Sequence, residues 1–196
     1  MITTLLALAA AAPLHFDCLG PVAPRQSAAV LLSTYGKDAR REDIAVPGGK
    51  TAKGVVLYPD DPARRLDITF WDDAQTAVQS VTMGPKASAW SGPLGLRVGW
   101  TIPQVMGVNG HNFSLTGLGW PYGGYILNFW SGKLLTLPGG CVAQVRFALP
   151  AGAPVPKAIA GEKELYTTMA PVKAADLRVD LVSIGWPLPA GVKVAN

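Results

Sequence analysis

Charge, histidine and cysteine are all scarce in this chain, and each scarcity narrows what it can do. Of 196 residues only 15% are charged, and the net charge is +4. The charges are scattered, and many basic residues sit beside acids, as in Asp38-Ala39-Arg40-Arg41-Glu42-Asp43 and Asp60-Asp61-Pro62-Ala63-Arg64-Arg65. That is a mixed-sign solvated surface and not a basic stripe that tracks phosphates, so nucleic acid is not an expected partner. The two histidines are His15 and His111, and no thiolate or carboxylate surrounds His111 at ligand spacing, so no metal is expected. Neither a Gly-x-Ser-x-Gly elbow nor a phosphate-binding loop is present, and Gly107-Val-Asn-Gly-His-Asn follows a helix where a phosphate cradle would open one. The acid pairs Asp60/Asp61 and Asp72/Asp73 flank turns, whereas glycoside hydrolysis needs two carboxyls opposed across a cleft. No catalytic residue and no cofactor are assigned, and the chain is not expected to be an enzyme. A spatial cluster of His111 with distant aspartates in a deep pocket would reverse that expectation. After the first dozen residues no apolar run approaches the about 20 needed to cross a bilayer.

What the chain does have is apolar side chains and turns. Hydrophobic residues make up 49% of it, with 22 glycines and 17 prolines. That composition supports a packed core built from short strands and many turns. At the start, Leu5 to Ala12 has the size of a signal-peptide core with small residues near Ala9 to Ala12, although no Lys or Arg precedes it. A mis-annotated start is the alternative. The expected location is periplasmic or secreted.

In an oxidising compartment the even pair Cys18 and Cys141 reads as one disulfide tying the start of the mature chain to its second half. Closing a loop of that length is nominally worth about 4–5 kcal/mol. Two buried thiols, or lipidation of Cys18, are the alternatives. The residues before Cys18, Leu14-His15-Phe16-Asp17, lack the small side chains that a lipidation motif uses.

The internal order reads as helix then about four strands, twice. Ala28, Leu31, Leu32 and Tyr35 share one helical face, with Pro24 ahead and Gly36 behind. Strands are expected over Arg41 to Val46, Gly54 to Tyr58, Arg64 to Trp71 and Thr76 to Met83. Leu66, Ile68 and Phe70 alternate with Asp67, Thr69 and Trp71, and Pro59-Asp60-Asp61-Pro62 forms a turn before them. The segment from Gly84 to Pro93 reads as the junction between halves. In the second half Thr101 and Gln104 have the spacing of a capping box, with Pro103 in the first turn and Gly107 or Gly110 at the end. Strands are expected over Asn112 to Gly119, Tyr125 to Trp130, Cys141 to Leu149 and Arg178 to Trp186. A longer connection spans 150–176. The expected fold is α+β, two fused repeats of a short helix followed by an antiparallel sheet of about four strands. The boundaries are 1–17 for leader and mature N-terminal segment, 18–93 for the first repeat and 94–196 for the second.

The segment Gly95-Leu-Arg-Val-Gly-Trp-Thr-Ile-Pro-Gln-Val-Met-Gly-Val-Asn-Gly resembles the helix-opening motif of the SmpA/OmlA-like and beta-lactamase-inhibitory-protein-like group. Gly99 and Thr101 match that motif, while Trp100 stands where methionine is usual. The doubled order is similar to the tandem arrangement of the beta-lactamase inhibitory protein. Phe16-Asp17-Cys18-Leu19-Gly20, the segment from Gly119-Trp120 to Gly124, and Gly140-Cys141 resemble uncharacterised exported bacterial proteins. These resemblances imply a helix-plus-sheet fold and a periplasmic, non-catalytic habit, and they carry over no inhibitory residue.

The distinctive constellation is Trp120-Pro-Tyr-Gly-Gly-Tyr-Ile-Leu-Asn-Phe-Trp, with Trp120, Tyr122, Tyr125, Phe129 and Trp130 gathered around a Pro-Gly-Gly turn. Tyr and Trp provide large contact areas at little entropic cost. Strict alternation would put Tyr125, Leu127 and Phe129 on one face, and Ile126, Asn128 and Trp130 on the other. Core packing and an exposed contact platform are both open for this hairpin. The leading expectation is a non-catalytic binding protein of the cell envelope, reaching a protein partner through this hairpin and a sheet face. Arg64, Arg65 and Lys133 would steer the encounter. The alternative is a carbohydrate or peptidoglycan binding module that uses the same rings for stacking.

Overall fold

The computed structural model describes residues 14–194, so the leader core at 5–12 lies outside the described residues. The chain is mixed α and β, dominated by sheet. After a two-residue strand β1 (Leu14–His15), helix α1 (Ala28–Tyr35) is capped by the Ser27 side chain, which accepts from Val30 N–H, and ends at Gly36. Ala28 and Leu31 are buried from the expected face, while Leu32 and Tyr35 pack half-buried against the same core. Pro24 sits outside the helix. Its carbonyl accepts from Val78 N–H at 3.0 Å, docking the approach to α1 onto the sheet.

Strands β2 (Ala39–Val46), β3 (Lys50–Leu57), β4 (Leu66–Phe70) and β5 (Val78–Met83) then form an antiparallel meander. Alternation sets the faces as expected, with Leu66, Ile68 and Phe70 in the core. The opposite face carries hydroxyls in register: Thr69 Oγ1 lies 2.7 Å from Ser80 Oγ, and Thr82 Oγ1 lies 2.8 Å from Ser183 Oγ. The segment expected as the junction packs into the fold at its end. β6 (Trp90–Ser91) pairs in parallel with β1, and Gly92 and Pro93 are buried. Phe16 is buried edge-on against Trp90, so the segment that reads as a mature N-terminus is a core component.

Helix α2 (Ile102–Asn109) has the full capping box: Gln104 N–H donates to Thr101 Oγ1, and Thr101 N–H donates to Gln104 Oε1. It stops at Gly110, whose φ of 79° closes the helix without a Cβ penalty. The second half departs from a separate helix-plus-four-strand unit. Strands β7 (Ser114–Thr116) and β8 (Ile126–Asn128) form a three-stranded antiparallel sheet with β10 (Glu164–Tyr166), in the order β10-β7-β8. Strands β9 (Val142–Ala148) and β11 (Arg178–Gly185) join the meander instead, giving the six-stranded order β2-β3-β4-β5-β11-β9. One hydrophobic core cluster therefore draws on both halves of the chain. Phe113 stacked on Phe147 at 5.7 Å joins the small sheet to the large one. The connection at 150–176 holds β10 and a short helix α3 (Ala170–Ala174). Cys18 and Cys141, both buried, are bonded across a sequence separation of 123.

Candidate functional site

The loop after β7 is held by side chains bonded to its own backbone. Thr116 Oγ1 donates to the Tyr122 carbonyl at 2.6 Å and accepts from Tyr125 N–H at 3.1 Å. Trp120 Nε1–H donates to the Gly117 carbonyl at 2.8 Å. These bonds bring the half-buried Trp120 ring edge-on to Tyr122, with centroids 5.4 Å apart. Tyr122 is 46% exposed, and its hydroxyl lies over Gly48 in the β2–β3 turn, where any Cβ would collide with it.

The hairpin does not present its five aromatics as one platform. Tyr125 and Phe129 are each only 7% exposed and belong to the interior. Strict alternation also fails at Leu127, which is exposed although it was expected to share their face. The reason is that β8 is only three residues long. A register shift between Ser114 and Leu115 interrupts its pairing with β7, and Tyr125 pairs across to Arg146 instead. Trp130 then leaves the strand with φ of 48°, a left-handed conformation that is unfavourable for a bulky side chain. Asn128 Oδ1 accepts from Trp130 N–H at 2.6 Å, and the indole stacks on Tyr166 with ring planes 12° apart. Trp130 and Tyr166 are 38% and 37% exposed. Sequence reasoning missed Tyr166. Its signal was the short alternation Glu164-Leu165-Tyr166, in which Leu165 is buried.

Behind Trp130 stands Asn109, the last residue of α2 and fully buried. Its Nδ2 donates to the carbonyls of His111 and Phe129 at 3.0 and 3.4 Å, and its Oδ1 accepts from Leu134 N–H at 3.2 Å. Gly132 packs directly on this amide, and a Cβ there would overlap it. Helix α2 thereby sets where Phe129 to Leu134, and so Trp130, sits.

A shallow groove of about 510 Å³ runs beside Trp120, lined by Arg146, Asp180 and the small residues that follow β9. Arg146 donates to both Asp180 oxygens, from Nε at 2.9 Å and Nη2 at 2.7 Å. Its guanidinium carbon lies 5.5 Å from the Tyr125 ring centroid. The Asp180 hydrogen bonds raise the Arg146 pKa against the opposing effect of burial. Asp180 falls where the β9–β11 register shifts, between Val179 and Leu181, and such a bulge re-aims a side chain.

The remaining sequence candidates make other contacts. His111 is exposed, and its ring Nε2 lies 3.5 Å from Ser131 Oγ. Asp72 accepts from Thr76 and Ala77 and works as a turn residue. Arg64 and Arg65 are not free rim charges. The Arg64 guanidinium lies 3.7 Å over the Tyr58 ring, and Arg65 is bonded to Glu42 and Asp67. Lys133 is exposed, as a steering charge requires. Burial pushes the Glu42 carboxyl up, but hydrogen bonds from Arg40 and Arg65 outweigh it and hold the carboxyl below its ordinary range. For Asp67 burial wins over Arg65, and the carboxyl is raised. Among the described residues no three His, Cys, Asp or Glu side chains converge as a metal-ligand set. The surface thus presents ring faces and one bidentate ion pair. No family model, curated protein or solved structure matches the chain.

Proposed function

We propose that this chain is an exported, non-catalytic binding protein of the cell envelope that grips a protein partner through Trp120, Tyr122 and Trp130. One observation carries the reading: the hairpin buries Tyr125 and Phe129 as its anchor while these three rings stay accessible to solvent. Burial of such rings supplies much of the energy of protein recognition. The left-handed backbone at Trp130 supports the assignment, because strain of about 1–3 kcal/mol persists only where the surroundings impose it and is common at functional positions. The buried disulfide suits an oxidising compartment. The helix-cap resemblance to tandem periplasmic modules agrees with a non-catalytic role.

A second reading, glycan binding, rests on the groove itself. An indole beside a bidentate Arg–Asp pair matches the stacking face and polar anchors that a sugar ring needs. The two readings separate in one experiment. Chain carrying Trp130→Gly, or Trp120→Ala with Tyr122→Ala, is compared with the parent for capture of envelope proteins and of purified peptidoglycan. Protein capture that both variants abolish supports the first reading. Peptidoglycan capture that fails only in the Trp120/Tyr122 variant supports the second. Unchanged capture in both variants refutes the aromatic site.

A further inference from the structure

A second concavity lies between α2 and the segment around α3, and it shares no lining residue with the groove beside Trp120. It encloses about 540 Å³, a size usual for small-molecule sites. Its apolar lining comes from Ile102 of α2 and from Val172 and Leu177, all buried, with the half-buried Met106 alongside. Small side chains at Ala174 and Ala175 leave the space open.

The polar lining is Thr101, Asn112, Thr167, Thr168, Lys173 and Asp176, and its two charges differ in how they are paired. Asp176 is already bonded to Arg178 Nε at 2.6 Å, so its charge is compensated. Lys173, in the last turn of α3, lines the same cavity, and no carboxylate pairs with it among the described residues. Thr167 is 2% exposed; its Oγ1 accepts from Phe113 N–H at 3.4 Å, which leaves its own O–H to donate. The buried hydroxyl has a proton to give to an oxygen acceptor, and the exposed ammonium at the rim, with no carboxylate partner, favours a ligand whose acceptor carries negative charge.

We propose that this pocket binds a small amphiphilic carboxylate, with its carbon chain over Ile102, Val172 and Leu177 and its carboxylate drawn to Lys173. Thr167 supplies a neutral donor to an oxygen of the ligand. The inference stands whichever partner the aromatic surface takes.

The test is isothermal titration of the intact disulfide-bonded chain with decanoate, decanol and decylamine, each below its micelle concentration. Decanoate is expected to bind saturably at a single site and decylamine not at all. Lys173→Glu, an exposed substitution, should weaken decanoate by about tenfold or more, the scale of a lost charge-assisted bond, while Lys173→Arg retains binding. Ala175→Phe, with an unchanged circular dichroism spectrum, should abolish it by filling the cavity. Absence of saturable decanoate binding to the parent overturns the proposal. So does equal affinity for decylamine, or a Lys173→Glu variant that binds decanoate as the parent does.

Discussion

Replacing Asn109 with alanine tests whether helix α2 holds the aromatic surface in place. The substitution removes two donated hydrogen bonds, to His111 and Phe129, and one accepted from Leu134 N–H. The three losses are unequal. His111 is exposed, so water can reach its carbonyl, and the Phe129 carbonyl still accepts from Gly132 N–H at 3.0 Å. The Leu134 N–H is left inside the protein, where an unsatisfied donor costs about 1–3 kcal/mol. Loss of the buried amide volume adds to this, for a total of about 2–4 kcal/mol. Against a typical stability of 5–15 kcal/mol the fold should survive, with the melting temperature lowered by roughly 5–15 °C. Urea denaturation gives the free energy. Hydrogen exchange gives the location, because the Leu134 amide should lose protection before the strands of the large sheet do. Gly132→Ala attacks the same contact from the other side and should give a similar local loss. An Asn109→Ala variant within about 0.5 kcal/mol of the parent, with Leu134 protection unchanged, would refute the reasoning.

Three further outcomes are expected. Cys18→Ser with Cys141→Ser opens a loop of 123 residues and should cost about 2–5 kcal/mol, read as a lower urea midpoint; a midpoint equal to that of the oxidised parent would contradict it. Ser114 is fully buried with no partner for its hydroxyl, so Ser114→Ala should be neutral or stabilising by about 1 kcal/mol, and a loss above that would mean its Oγ is bonded. Glu42 has a folded pKa below its unfolded value. Its contribution is therefore present above the ordinary glutamate pKa of about 4.3 and is lost as pH falls through the folded value. Asp67 is shifted the opposite way, so its protonation on acidification partly offsets that loss. Glu42→Gln should flatten the decline of stability below about pH 4.5, and an identical acid profile in parent and variant would count against the Arg40–Glu42–Arg65 network.

Much of the local structure was legible because its causes are local. Thr101 and Gln104 stand three residues apart, and that spacing alone specifies a capping box. Gly36 and Gly110 end their helices where the backbone must leave the helical region. Alternation in Leu66 to Phe70 named the buried face, because a strand has a period of two. The pairing of Cys18 with Cys141 followed from there being two cysteines and from the expectation of an oxidising compartment.

Other features depend on residues that sequence leaves far apart. Local pattern does not say which strand a given strand pairs with, since pairing is decided by packing across the whole sheet. That is why β9 and β11 could join the meander while β7, β8 and β10 formed a sheet of their own. Arg146 meets Asp180 across 34 residues, and Trp130 meets Tyr166 in the long connection at 150–176. The aromatic cluster itself was visible in composition. Which of its rings face solvent was settled by the short β8, the shifted register and the left-handed turn at Trp130, all consequences of tertiary packing.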